Sequence, residues 1–368
     1  MTRWAWAAAW ALCSLACGAT PEPVRGEGAV DRALVLAGVA DHGILPLAAA
    51  LEARTATLAL HAGALCAAPS QDSLRSARRA WAEARVAYRA TQAFGFGPVE
   101  ELRLGRAMDF APLRLDAVAE LLAETEPITP ALLVARGATV RGFGVLERLL
   151  FDPFVDDAEV LLRLTEAPRR CAYVVALAHD LADSGAALAA AWRPGGGDFR
   201  GALAGAGRDA RGFATQQAAL SAVLGGLVDA ARQAEEALAK PLGRLDGGVP
   251  QPDAALALYS GHGLPEVRAW LAAVQALYEA RGDGQEAVGL ADLVAARDTP
   301  LSMMLQGELT EAIRAVEAVP EPLDRAVLAE PEAVEAARAA IHEVLLRLAV
   351  DTSALLGVTL TFSDNDGD

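Results

Sequence analysis

Apolar residues recur along this chain at steps of three and four, the spacing of one helix face, with no convincing run of strand-like alternation. The pattern predicts helices over 29–65 (bent near Pro46), 71–93, 112–124, 129–151, 156–164, 167–192, 208–240, 265–281, 298–318 and 331–356, with a short helical turn inside Asp198–Gly207. Pro130, Pro168, Pro265, Pro300 and Pro331 each open an alanine- and leucine-rich run, where a missing N–H is tolerated. Thr129 and Thr299 precede two of them as candidate N-caps. Pro194-Gly195-Gly196-Gly197 is the clearest break, and Gly243–Pro252 is a second. Long helices fall on both sides of the first break, so each side can close an up-down bundle. The expectation is an all-α chain of two packed, four-helix-bundle-like domains, 29–193 and 199–368.

One helix face carries a residue of the wrong kind. Val140, Phe143, Glu147 and Leu150 share a face by spacing, and three of the four are core residues. A carboxylate buried there needs a cation, a metal or hydrogen-bond donors, or it stays protonated. Gly137, Gly142 and Gly144 lie close by, and each glycine costs a helix interior roughly 1 kcal/mol against alanine. Close backbone approach would justify that. Two readings stand side by side: a functional carboxylate, or a structural ion pair with Arg141, Arg148 or Arg85.

Composition narrows the function. The formal charge is −16, which argues against nucleic-acid binding, since that requires a basic face. Lys240 is the sole lysine. Beyond residue 20 no long charge-free apolar run is evident, and no membrane-spanning helix is expected. Residues 1–17 read as an export signal: Arg3, an apolar stretch from Trp4 to Ala16, then Ala16 before Cys17. The segment resembles a lipoprotein signal with Cys17 as the acylated residue, although Ser14 stands where leucine is usual; a plainly secreted chain is the alternative. Residues 18–28 read as a flexible tether. Cys66 and Cys171 remain, and in an exported chain they suggest one disulfide, with two buried thiols as the alternative.

Several local patterns, in this order, carry a resemblance. They are Ala40–Pro46, Leu65–Ser70, Ala77–Tyr88 with Trp81 and Arg85, Phe94–Val99, Arg141–Phe151, Arg170–Tyr173, Lys240–Gly243 and Leu356–Phe362. Together they resemble the imelysin-like, or M75 peptidase, family from about Asp31 onward. That family's signature is G-x-H-x-x-E. Here it reads Gly142-Phe143-Gly144-Val145-Leu146-Glu147, with glycine in the histidine's place. The resemblance implies an exported surface or periplasmic binding protein, at the outer membrane if Cys17 is acylated, in iron or other metal acquisition. The alternatives are a metal-dependent peptidase, or a non-catalytic scaffold that has lost the site.

The implied cleft residues are Glu147, Arg141, Gly142, Trp81, Arg85, Ser260 and His262, with Glu147 as the metal candidate. The implied cofactor is a divalent metal or iron, or else none. The implied partners are a metal ion or small ligand, a membrane protein of an uptake system, and the lipid anchor. The residues themselves add no H-E-x-x-H and no G-x-S-x-G. His179 and Asp183 share a helix face as a lone pair. Trp81, Tyr88, Phe94 and Phe96 suit either core packing or a cleft wall. The acidic end Asp364–Asp368 is too short for a calcium loop.

Overall fold

The computed structural model describes residues 30–208, 212–245, 247–281 and 287–360. The export signal with Cys17, the tether and the acidic end lie outside these residues. Among the described residues all regular structure is helical.

The first helix, α1 (Arg32–Ala67), starts where Asp31 accepts the Ala33 N–H at 2.8 Å. Its expected bend is a π-helical turn, Val39–Ile44, just ahead of Pro46. The wider turn accommodates the hydrogen bond that proline removes. A reciprocal Ser70–Ser73 box opens α2 (Gln71–Thr91). Next come α3 (Phe143–Leu150) and α4 (Pro168–Trp192). The second group is α5 (Gln216–Ala239), α6 (Gly263–Glu279), α7 (Thr299–Glu317) and α8 (Pro331–Leu346). A second π-helical turn, Arg347–Thr352, extends α8.

In the first group α1 packs on α2 and α4, and α3 lies against α2 and α4. In the second group α5 packs on α6 and α8, and α7 on α6 and α8. The groups meet where α2 lies on α6 and where the turn Gln92–Phe94 meets α5. At that second contact Gly226 lets the backbones touch, since a Cβ there would sit 2.5 Å from the Ala93 carbonyl oxygen. The two groups share one continuous apolar core.

Three expectations change. On length and hydropathy α1 and α4 do qualify as membrane spans, but half of each apolar window is buried and the two helices pack on each other as core. The predicted helix 129–151 is three pieces: Pro130–Arg136, a 3-10 turn at Ala138–Val140, and α3. Gly137 and Gly142 have φ of +91° and +94°, so they break the helix rather than thin it. Thr129 caps as expected, through the Leu132 N–H. At α7 the cap moves back by one residue, to Asp298. Four short helices carried too little periodicity to be read: Pro98–Glu101, Leu104–Met108, Leu290–Ala295 and Leu323–Ala329.

Cys66 and Cys171 form the disulfide, joining the end of α1 to the start of α4 across 105 residues. In the chain-entropy account a loop of that length contributes about 4–5 kcal/mol. A Cys66→Ser, Cys171→Ser double variant should therefore show a clearly lower urea midpoint, and reduction of the wild type should reproduce it.

Candidate functional site

A cleft of about 750 Å³ opens between the two groups. The first group supplies Arg85 and Arg89 from α2, the loop Asp109–Leu113, and Gly144 and Glu147 from α3. The second supplies Gln233, Glu236 and Ala237 from α5, then Lys240, Asp253–Ala257, and Trp270 from α6.

Its floor is a ring of four charges. Arg85 and Arg89 stand one turn apart on α2, on the same face. Arg85 donates from Nε to Glu266 Oε2 at 3.0 Å and from Nη1 to Asp109 Oδ1 at 2.6 Å. Arg89 reaches the same two carboxylates, at 2.5 Å and 2.7 Å. Glu266 is fully buried, and its Oε1 has no hydrogen-bond partner among the described residues. Burial opposes charge on both Asp109 and Arg85. The arginines nevertheless hold the Asp109 carboxyl below its usual range, and the carboxylates hold Arg85 further into its charged form. Arg89 also covers the Trp270 ring, 4.7 Å from its centroid.

Glu147 is where its spacing placed it. It is 8 % exposed, on the buried face of α3 with Phe143 and Leu150. The Ser260 N–H donates to its Oε1 at 2.8 Å, across the junction between the groups. It makes no ion pair among the described residues, so the structural ion-pair reading fails for each arginine proposed. Arg141 grips Asp180. Arg148 lies over the Tyr259 ring, 3.4 Å from its centroid. Arg85 belongs to the floor ring. Burial pushes the Glu147 carboxyl upward. The Ser260 hydrogen bonds and Arg85 oppose this, while Glu266 adds to it.

The other expected residues divide. Arg85 lines the cleft, and Ser260 holds Glu147. Gly142 is structural: besides its positive φ, a Cβ would meet the Met108 carbonyl oxygen at 2.6 Å. Of the seven expected cleft residues only Glu147 and Arg85 line it; Gly142 and Ser260 stand behind the lining, and three more are engaged elsewhere. Arg141 turns away to Asp180 on α4 because that carboxylate is buried and needs a counter-charge. Trp81 is fully buried, donating to the Phe143 carbonyl at 3.2 Å. His262 packs its ring on Trp81 and Phe151 and bonds the Ser260 carbonyl through Nδ1 at 2.9 Å. Phe94 and Phe96 are core against Trp192. His179 lines a small apolar pocket over the disulfide.

The donor set does not fit a resident metal. Among the described residues no three of His, Cys, Asp or Glu converge on one point. Asp109 and Glu266 are engaged by arginines, and Glu147 stands alone. At position 144 the space is also taken, since a Cβ there would lie 2.9 Å from Leu113 Cδ2. Leu113 thus fills the direction in which a motif histidine would project.

Sequence reasoning missed Arg89, Asp109, Glu266, Leu113 and Trp270. One signal was available. Glu266 interrupts the apolar stripe of Gly263, Val267 and Trp270, just as Glu147 interrupts its own.

A sequence profile described as Imelysin (Peptidase M75) matches residues 44–353. An "Iron-regulated protein A" of Synechococcus elongatus is 26% identical over 316 residues, covering 84% of this chain and 80% of that protein. Among solved structures, a putative iron-regulated protein A precursor from Parabacteroides distasonis superposes with a TM-score of 0.76 at 20% identity, over 88% of this chain and 95% of that one. An imelysin-like protein from Psychrobacter arcticum gives 0.70 at 19%, over 90% and 97%. At these identities the two structures speak for the fold.

Two outcomes test this geometry. Glu266→Ala leaves two buried arginines sharing one carboxylate and should cost roughly 3–5 kcal/mol, read as a drop in urea midpoint. Glu147 is held more protonated in the folded chain than in the unfolded one. That stabilisation is present below the ordinary value of 4.5 and is lost as pH rises through the raised one. Glu147→Gln keeps an acceptor for Ser260, so it should melt above the wild type at neutral pH and converge with it in acid.

Proposed function

This chain belongs to the imelysin family, and on that premise we propose that it is an exported binding protein of iron acquisition, with the cleft between the two helical groups as its binding site. The observation that carries the reading is the cleft itself. It is roughly the size of a small organic ligand's site and is walled from both groups around one buried carboxyl, Glu147, that has no ion-pair partner among the described residues. The iron-linked role is supported by the name of the similar protein from Synechococcus elongatus, iron-regulated protein A. Export is supported by the signal-like residues 1–17.

The donor set favours iron arriving with an organic ligand over iron held as a bare ion. The same geometry speaks against peptidase chemistry. A hydrolase needs an activated water or nucleophile. The Ser260 hydroxyl is spent on the Ala257 carbonyl at 3.2 Å, and His262 Nδ1 is spent on the Ser260 carbonyl. Neither is placed to activate the other.

Ala237 lines the cleft from α5, half-buried at the edge of the core, so Ala237→Trp, checked for a wild-type circular dichroism spectrum, should fill the site. In a host lacking this chain, growth under iron limitation should be restored by the wild type and not by Ala237→Trp; equal rescue would sink the cleft reading. In calorimetry the soluble chain from Gly18 should bind ferrous, ferric and zinc ions only weakly. Micromolar ion binding that falls tenfold in Glu147→Ala, about 1.4 kcal/mol, would return the site to metal chemistry.

A further inference from the structure

We propose that the ligand of this cleft presents a cationic nitrogen, an ammonium or guanidinium on an organic body, to Glu147. The proposal rests on the cleft reading above and names the ligand's chemistry.

The charges around the cleft lead to it. Four carboxylates line it, Asp109, Glu147, Glu236 and Asp253, against three cations, Arg85, Arg89 and Lys240, and Glu266 stands behind the arginines. The floor ring consumes two of each sign and is neutral. Glu236 is held by Arg232 at 2.8 Å. Lys240 and Asp253 are exposed at the rim, where water screens them. Glu147 is left over: a buried carboxyl whose one hydrogen-bond donor among the described residues is the neutral Ser260 N–H. A carboxylate in that position is completed by a cation that brings its own hydrogen-bond donors.

The rest of the lining selects an organic cation. Phe110, Pro112, Leu113 and Leu256 offer an apolar wall beside the carboxyl. Leu113, lying over Gly144, puts hydrocarbon where a second metal ligand would be needed. An anionic ligand is disfavoured because both floor arginines already carry two carboxylates, and a further anion would face Glu147, Glu236 and Asp253.

The test titrates the soluble chain from Gly18 with tyramine and agmatine. Their controls are a neutral and an anionic analogue of tyramine, with the amine replaced by hydroxyl or carboxylate. The two cations should bind at least tenfold tighter than either analogue. Glu147→Gln should remove that preference while its far-ultraviolet circular dichroism stays that of the wild type. Ala237→Trp should abolish binding altogether. No binding by either cation, equal binding by the analogues, or an unchanged preference in Glu147→Gln would each overturn the proposal. If a neutral analogue binds and loses affinity in Ala237→Trp, the cleft reading survives and only the cationic assignment falls. If the cations bind and Ala237→Trp leaves them unaffected, both fall together.

Discussion

The ring of Arg85, Arg89, Asp109 and Glu266 is the constraint on which the arrangement of this molecule turns. Helix α2 must run through the junction of the two groups, and its two arginines must be buried there. Two guanidinium groups taken out of water are tolerable only if counter-charges come with them and their hydrogen bonds are nearly all made. One counter-charge comes from the loop at Asp109 and the other from α6 at Glu266. Satisfying the arginines therefore fixes the loop and α6 against α2. The cleft is the space left above that fixed floor. Its shape follows from an electrostatic requirement as much as from apolar packing.

Much of this was legible in the sequence, in proportion to how local its cause is. Helix periodicity and proline punctuation placed the long helices, because those signals act within a turn or two. The wrong-kind residue at 147 marked the buried carboxyl. The partners of Glu147 were not legible. The Ser260 N–H comes from 113 positions away, and no spacing rule links the two. Arg141 and Arg85 were equally good candidates by spacing, and each was taken by a carboxylate that tertiary packing delivered. The glycines misled in a useful way. Gly137 and Gly142 counted as tolerated interior residues, but their positive φ makes them the ends of separate segments, which spacing alone does not reveal. The family resemblance supplied the expected order of segments and most of the implied cleft residues.

Position 144 shows how a glycine and its neighbour share space. With glycine there, the room a side chain would occupy is filled by Leu113 from a loop distant in sequence. The carboxyl of the motif remains, now beside hydrocarbon and a backbone N–H. Matching the motif letter by letter would record a single missing ligand, whereas the structure shows hydrocarbon in the space a side chain at 144 would need.

The placement of the tryptophans has a practical side. Three of the six lie within residues 1–10, outside the described residues. Of the rest, Trp81 and Trp192 are sealed in the core, while Trp270 lines the cleft beneath the Arg89 guanidinium, its indole N–H donating to Gln92 at 2.8 Å. In the soluble chain from Gly18 the native tryptophan fluorescence therefore comes from two insulated emitters and one that reports directly on the chamber. A change in occupancy there would be visible as a spectral shift, without any label attached.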